Sequence, residues 1–507
     1  MVRAIRGWKQ AAMSEDDDNA GQEATARSIG RAAGKGLRWS LMGSAATRLG
    51  TFVMGLVLAR LLTPEDFGLY AVALAAMYFV MHVNDVGIMA ATVQWRGRLE
   101  EMAPTATTLA LMFSALVYGL CWFAAPAFAT LAGSSEAAPI VRLLTAVILI
   151  DGVTAVRAGS LLRSFQQDRI IIANLCGVVV NAAVAISLAA RGAGAYSFAA
   201  GQVAGAVVIG VIVFWLAKLP TQLGFDGGVA RKLMRFGLPL ALGLGMEAVV
   251  FNVDYVIVGH ALGATALGFY LLAFNVSSWA TGVIGTAIRY VSVPSFSRLS
   301  EDEGSLSPGV QRSFTLLITS VVPIALLMAV LAPALVVFLY GDQWAPAAPV
   351  LRFLAILSVV RIVVQLVVDV LTGAGATRVA MWMNAGWVLA LVPALMLGTR
   401  LDGIRGTAIA HVLVALLVAL PLALMSLRRI GVQVAPIVPR LIRPLVAGVV
   451  AALVCALVAD LTSTSVFLQL ATAGTAGLLT YLAVVVPRQQ LQTWSGRASE
   501  LIAASMR

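Results

Sequence analysis

Charge is scarce in this chain. Asp, Glu, Lys and Arg make up 12% of its 507 residues, against about 25% in an ordinary soluble domain. Cysteine is scarcer still. Cys121, Cys176 and Cys455 are the only three, far apart and inside apolar runs, which excludes a disulfide framework and the paired spacing of a zinc site. Three histidines, His82, His260 and His411, form no His-Glu-x-x-His pair, and no Gly-x-Ser-x-Gly elbow occurs. Residues Gly30 to Gly36 superficially match a phosphate-binding loop. The gap is one residue short, however, and Gly36 stands where Ser or Thr would hold magnesium. Any uphill work must therefore draw on an ion gradient or on removal of product. Long polar stretches are missing too. The longest gap after the N-terminal region, 294–313, is 20 residues, whereas a folded domain takes about 50 or more.

What fills the chain instead is apolar sequence, 60% of all residues. Runs long enough to span a bilayer, about 20 residues each, recur at 39–62, 67–93, 105–128, 139–162, 170–190, 197–217, 236–262, 267–293, 314–339, 350–372, 379–398, 404–427, 441–459 and 466–486. The expectation is an all-α polytopic membrane protein with about fourteen transmembrane helices. Residues 1–36 hold an acidic Ser-Glu-Asp-Asp-Asp stretch and several basic residues but no apolar run, so they read as a tail without a cleavable signal.

Basic residues gather in alternate loops. Arg96, Arg98, Arg163, Arg169, Lys218, Arg231, Lys232, Arg235, Arg428, Arg429, Arg440 and Arg443 fall on one side. Arg60, Arg142, Arg191, Arg352, Arg400 and Arg405 are the few on the other. The positive-inside rule places both termini in the cytoplasm of a multi-pass inner-membrane protein. It also explains the net charge of +11 without a nucleic-acid partner.

A repeat is visible at an offset of 200. Leu62, Gly68 and Tyr70 meet Leu262, Gly268 and Tyr270, and six spans separate the copies, so both run in the same direction. Parallel repeats of this kind relate lobes about an axis along the membrane normal. The expected layout is a tail over 1–36, lobes over 37–218 and 219–430, a helix pair over 431–487 and a second tail over 488–507.

Inside the spans lie Arg48, Asp85, Asp151, Arg157, Glu247, Asp254, Arg289, Arg361 and Asp369. Each costs about 2.5–3.5 kcal/mol at the bilayer centre. Facing lipid, the set would cost on the order of 20–30 kcal/mol, more than a domain's net stability of about 5–15 kcal/mol. They must pair or line a wet cavity. Helical spacing groups Tyr78, His82 and Asp85, then Glu247, Phe251 and Asp254, then Arg361, Gln365 and Asp369, and Arg48 and Asp85 lie at similar depth. Arginine suits phosphate, because its planar fork makes bidentate bonds and stays charged. Arg48, Arg157, Arg289 and Arg361 are thus candidates to hold an anionic group. His82, Asp85, Asp151, Glu247, Asp254 and Asp369 are candidates for ion coupling or for ion pairs that only lock the bundle. Arg289 and Asp369 sit near helix ends, where snorkelling suffices. His260 and His411 read as structural or interfacial, and Trp344 as an interface anchor.

The stretch Ala46-Thr47-Arg48-Leu49-Gly50, then Leu58 to Tyr70 with Arg-Leu-Leu-Thr-Pro-Glu-Asp-Phe-Gly at its heart, resembles the N-terminal signature of the Wzx-type polysaccharide and oligosaccharide flippases. Asp85-Val86-Gly87, Asn252-Val253-Asp254, Leu262-Gly263-Ala264, Leu267 to Tyr270, Pro294 to Leu299 and Gly341 to Trp344 are similar to later parts of that family. The resemblance covers most of 38–430 and fades in the last two spans. It implies a two-lobed bundle, without cofactor or enzymatic activity, that moves a polyprenyl-diphosphate-linked oligosaccharide to the outer leaflet for cell-surface polysaccharide synthesis. It also implies ion coupling, and contact with membrane lipids, a glycan polymerase and other assembly proteins. Arg48 is the site residue it carries over. A lipid II flippase and a multidrug/cation antiporter of the same superfamily are the rival readings. A membrane enzyme lacks the large outer loop it needs, and a scaffold would have its charges in tight pairs with no cavity.

Overall fold

A computed structural model describes residues 42–84, 88–95, 97–164, 166–219, 222–299, 306–462 and 465–485, with the helix path alone over 238–251 and 283–299. Both expected tails lie outside the described residues. The described chain is helical throughout, without strands, as it must be where lipid offers no partner to backbone N–H and C=O groups. Eleven helices among the described residues are long and apolar enough to cross a membrane. This is a multi-pass membrane protein.

In chain order the helices are α1 (Met42–Leu61), α2 (Pro64–Asn84), α3 (Ile88–Gln94), α4 (Leu99–Leu131), α5 (Ala138–Thr145), α6 (Val147–Arg163), α7 (Gln167–Ala190) and α8 (Tyr196–Leu216). There follow α9 (Gly227–Leu299), α10 (Leu306–Tyr340), α11 (Ala348–Gly373), α12 (Thr377–Val414), α13 (Leu420–Arg429), α14 (Ile437–Leu461) and α15 (Val466–Val485). A π turn, Ala415–Ala419, joins α12 to α13.

Local chemistry sets the ends. At the α1–α2 junction, Thr63 and Asp66 form a capping box. The Thr63 amide and hydroxyl donate to Asp66 Oδ2 at 3.0 and 2.8 Å, and the Asp66 amide donates back to Thr63 Oγ1 at 3.2 Å. Pro64 takes the first helical position, where its missing N–H does no harm.

Two of the long helices are hairpins. In α9 the backbone leaves helical geometry at Gly263, where φ is 84°. Asp254 and Tyr270, sixteen positions apart across this residue, share a 2.9 Å hydrogen bond. A straight helix would hold them about 24 Å apart, so the chain doubles back at Gly263. In α12 the break falls at Asp402 and Gly403. The Thr399 and Thr407 hydroxyls then meet at 2.7 Å. Both breaks lie between spans read from hydropathy.

Small residues bring helices together, as they do in lipid, where no hydrophobic drive separates helix from solvent. A Cβ on Gly205 of α8 would stand 2.7 Å from the Gly177 carbonyl oxygen of α7. A Cβ on Gly68 would strike the backbone of Ala264, and one on Gly268 the backbone of Pro64. These last two contacts are reciprocal at an offset of 200. The α14–α15 pair packs on α10: Tyr481 donates to the Thr319 carbonyl at 2.8 Å, and Gly448 lies beneath Val322 and Leu326.

Candidate functional site

Arg48 stands on the exposed side of α1, while Gly43 and Gly50 of the same helix pack on Ile171 and Val178 of α7. Its guanidinium lies against Gly282 in the second arm of α9. A Cβ there would come within 2.6 Å of Nη1. The Arg48 side chain thus bridges helices from the two halves of the chain, in the half of the bundle nearer the arginine-rich loops. Its expected partner Asp85 lies outside the described residues. So do the side chains of His82, Glu247 and Arg289.

A second group gathers in the latter half. Asp254 is 1% exposed. It accepts from the Tyr270 hydroxyl at 2.9 Å and from the Tyr255 amide at 3.0 Å, and His411 Nδ1 lies 3.8 Å from its Oδ2. Arg361, with its guanidinium 4.7 Å from the Phe274 ring centre, acts electrostatically on both Asp254 and His411. Four elements therefore converge on one buried carboxylate: both arms of α9, then α11 and α12. One turn or two below Arg361, Gln365 Nε2 donates to Asp369 Oδ1 at 3.3 Å. Asp369 is only 6% exposed. Snorkelling does not describe it, because a side chain this buried does not reach headgroups.

In the first half, Asn84 Nδ2 donates to Asp151 Oδ2 at 3.3 Å. Arg157 is 5% exposed. It caps the C-terminus of α8, donating to the carbonyls of Ala217 at 3.0 Å, Leu219 at 3.2 Å and Phe214 at 3.4 Å, and its guanidinium sits 3.9 Å from the Phe214 ring centre. These carbonyls are acceptors left over at a helix end.

The arginine-poor end is also built from specific contacts. Trp344 is fully buried, and so is no interface anchor. Its indole Nε1 donates to the Ala59 carbonyl at 2.9 Å, and its ring meets Phe67 and Phe269 edge to face at 4.7 and 5.9 Å. His260 Nδ1 meets the Leu131 carbonyl at 2.8 Å. His411 is buried at 3% exposure. Sequence reasoning left His411, Tyr270 and Trp344 out of the functional set. Tyr270 stood out by the repeat and Trp344 by the family resemblance, but a polar or aromatic group in an apolar run does not say which way it faces.

A family model described as "Polysaccharide biosynthesis protein" matches residues 57–349. The chain is 26% identical over 345 residues to the succinoglycan biosynthesis transport protein ExoT of Rhizobium meliloti (strain 1021), covering 68% of this chain and 70% of that one. It is 21% identical over 400 residues to the lipopolysaccharide biosynthesis protein WzxC of Escherichia coli (strain K12), covering 75% and 78%. Among solved structures, the lipid II flippase MurJ in an inward closed conformation superposes with a TM-score of 0.74. That match covers 87% of this chain and 97% of MurJ at 12% identity, a likeness of fold.

Proposed function

The chain belongs to the polysaccharide biosynthesis protein family, and from that premise we propose that it is a flippase. It carries a polyprenyl-diphosphate-linked oligosaccharide from the inner to the outer leaflet of the cytoplasmic membrane by alternating access. A sugar-diphosphate head cannot cross about 30 Å of hydrocarbon unaided. A hydrated seam between two lobes lowers that barrier while the polyprenyl tail stays in lipid.

The eleven apolar helices become fourteen spans when the α9 and α12 hairpins are each divided and α2 is counted. The lobes are 37–218 and 219–430, with α14 and α15 as a trailing pair, and both termini are cytoplasmic. The reciprocal seating of Gly68 on Ala264 and Gly268 on Pro64 supports the pseudo-twofold. A contact of i with j, and of j with i one repeat later, is what a two-fold axis produces.

The observation that carries the reading is the place of Arg48, an exposed guanidinium held against Gly282 where the two lobes meet. A planar fork there suits a diphosphate entering between α1 and the second arm of α9. Arg361 is the second cationic group, held in the second lobe beside Phe274. Arg157 is a structural cap and leaves the cargo set. The carboxylates Asp254 and Asp369, with His411, form the coupling group of the second lobe, and Asp151 with Asn84 that of the first. A glycan polymerase consumes the delivered unit.

The test is reconstitution in vesicles with a labelled polyprenyl-diphosphate oligosaccharide, lipid II serving as a second cargo. Arg48→Ala should slow leaflet transfer about 10- to 100-fold, the worth of one charge-assisted hydrogen bond of about 1.5–3 kcal/mol. Transfer at the wild-type rate would remove Arg48 from the mechanism. Preferential transfer of lipid II would replace the cargo.

A further inference from the structure

Four side chains bond across the lobes at the arginine-poor end, and all four end on main-chain oxygens. From the second lobe, Trp344 Nε1 and Gln343 Nε2 both reach the Ala59 carbonyl, at 2.9 and 3.0 Å. From the first lobe, Arg60 reaches the last carbonyls of α10, donating to Phe338 at 3.0 Å and twice to Leu339 at 3.2 Å. His260 donates to the Leu131 carbonyl at the end of α4. A carbonyl only accepts, so Nδ1 carries the hydrogen.

Arg60 and His260 occupy the same place in the two repeats, 200 residues apart, and each caps the C-terminus of the third long helix of the other lobe. Cation and donor both suit that end of a helix, where acceptors are unfilled and the dipole is negative. The two seams are nevertheless unequal. One has Arg60, Gln343 and a fully buried Trp344 whose ring is flanked by an aromatic from each lobe. Among the described residues the other has the His260 side chain alone, and the turn that matches Trp344's, Ser135–Ala137, brings no ring.

We propose that Trp344, Gln343 and Arg60 form a one-sided latch that holds the outer end shut: when this end opens, the His260 seam parts easily and release of the Trp344 seam limits the rest. The charged groups on the elements packed about His260 are Glu65 and Asp66 at the start of α2, Glu136 after α4, and Asp402 with Arg405 at the α12 tip. Asp66 is engaged by Thr63, and Asp402 is paired with Arg405 at 3.5 Å. None of them supplies a second bond across that seam.

The inference rests on two lobes that swing apart, as set out above. Its experiment follows the opening itself, without cargo, so its failure is distinct from failure of the cargo assignment. In a chain with Cys121, Cys176 and Cys455 replaced by serine, spin labels go on Glu136→Cys and Arg352→Cys. Both positions are exposed and lie at the arginine-poor end in different lobes. Distances are measured by pulsed dipolar spectroscopy in lipid nanodiscs. Combining Trp344→Phe, which keeps the ring and loses the donor, with Arg60→Gln should raise the long-distance population about tenfold. His260→Ala should raise it less than twofold. If the double variant does not fold, Gln343→Ala carries the same expectation at about threefold. An unchanged distribution in the Trp344 and Gln343 variants, or an equal rise with His260→Ala, overturns the latch.

Discussion

Gly68 and Gly268 sit where no side chain fits, since the space above each Cα is filled by the backbone of the other repeat. A flexible neighbour could move aside, but two helix backbones cannot. Gly68→Val should therefore push the lobes apart at this point and destabilise the protein by about 1–3 kcal/mol, the usual range for overpacking. A drop in the detergent melting temperature checks this, with Gly55→Val as control, because nothing lies within 4 Å of a Cβ there. The residue scale is also where sequence reading reached least far. Trp344 beside Gly341 and Asp342 has the composition of a membrane-interface belt. Its burial comes from Ala59 and Phe67, nearly 300 positions earlier, and hydropathy carries no record of such a partner. Arg157 shows the same limit. A charge inside an apolar span signals that some partner exists, but not that the partner is the frayed end of α8.

Among elements, the α9 hairpin shows why some features were legible. Gly263 interrupts a long apolar run, and Leu262 and Leu267 mark where one arm ends and the next begins. Glycine reaches the positive φ that the turn requires, and the break falls inside the gap between the two apolar runs, 263–266. Thr63 and Pro64, between the runs 39–62 and 67–93, likewise mark the α1–α2 junction. Helix lengths were not legible. α4 runs from Leu99 and α10 from Leu306, well outside their apolar cores, because helix formation does not stop where hydropathy falls. The arms of α9 are held by the bond from Tyr270 to Asp254, buried beside His411. Tyr270→Phe leaves that carboxylate one donor short. It should destabilise the protein by about 1–3 kcal/mol, seen as a lower melting temperature. It should also make leaflet transfer less dependent on an imposed ion gradient, if Asp254 belongs to the coupling group. Transfer whose gradient dependence matches wild type would confine Tyr270 to structure.

For the whole molecule, basic loops and a 200-residue repeat predict orientation and symmetry together. Single cysteines at Ser135 and Ser465, in the cysteine-free background, should react with an impermeant maleimide from outside intact cells. Those at Gly227 and Gln433 should react only after permeabilisation. The reverse pattern would invert the molecule and move the latch to the cytoplasm. The latch is asymmetric in a further sense, between donor and acceptor. Arg60, Gln343 and Trp344 supply side chains, whereas Ala59, Phe338 and Leu339 supply only carbonyl oxygens that every amino acid possesses. Mutation can therefore change the exposed Phe338 without removing a bond, whereas Ala59, fully buried under Trp344, has no room to enlarge. In descendants of this gene, drift should erode Phe338 while selection pins the three donors, so that the lock is inherited through its bolts and not through its keeper plate.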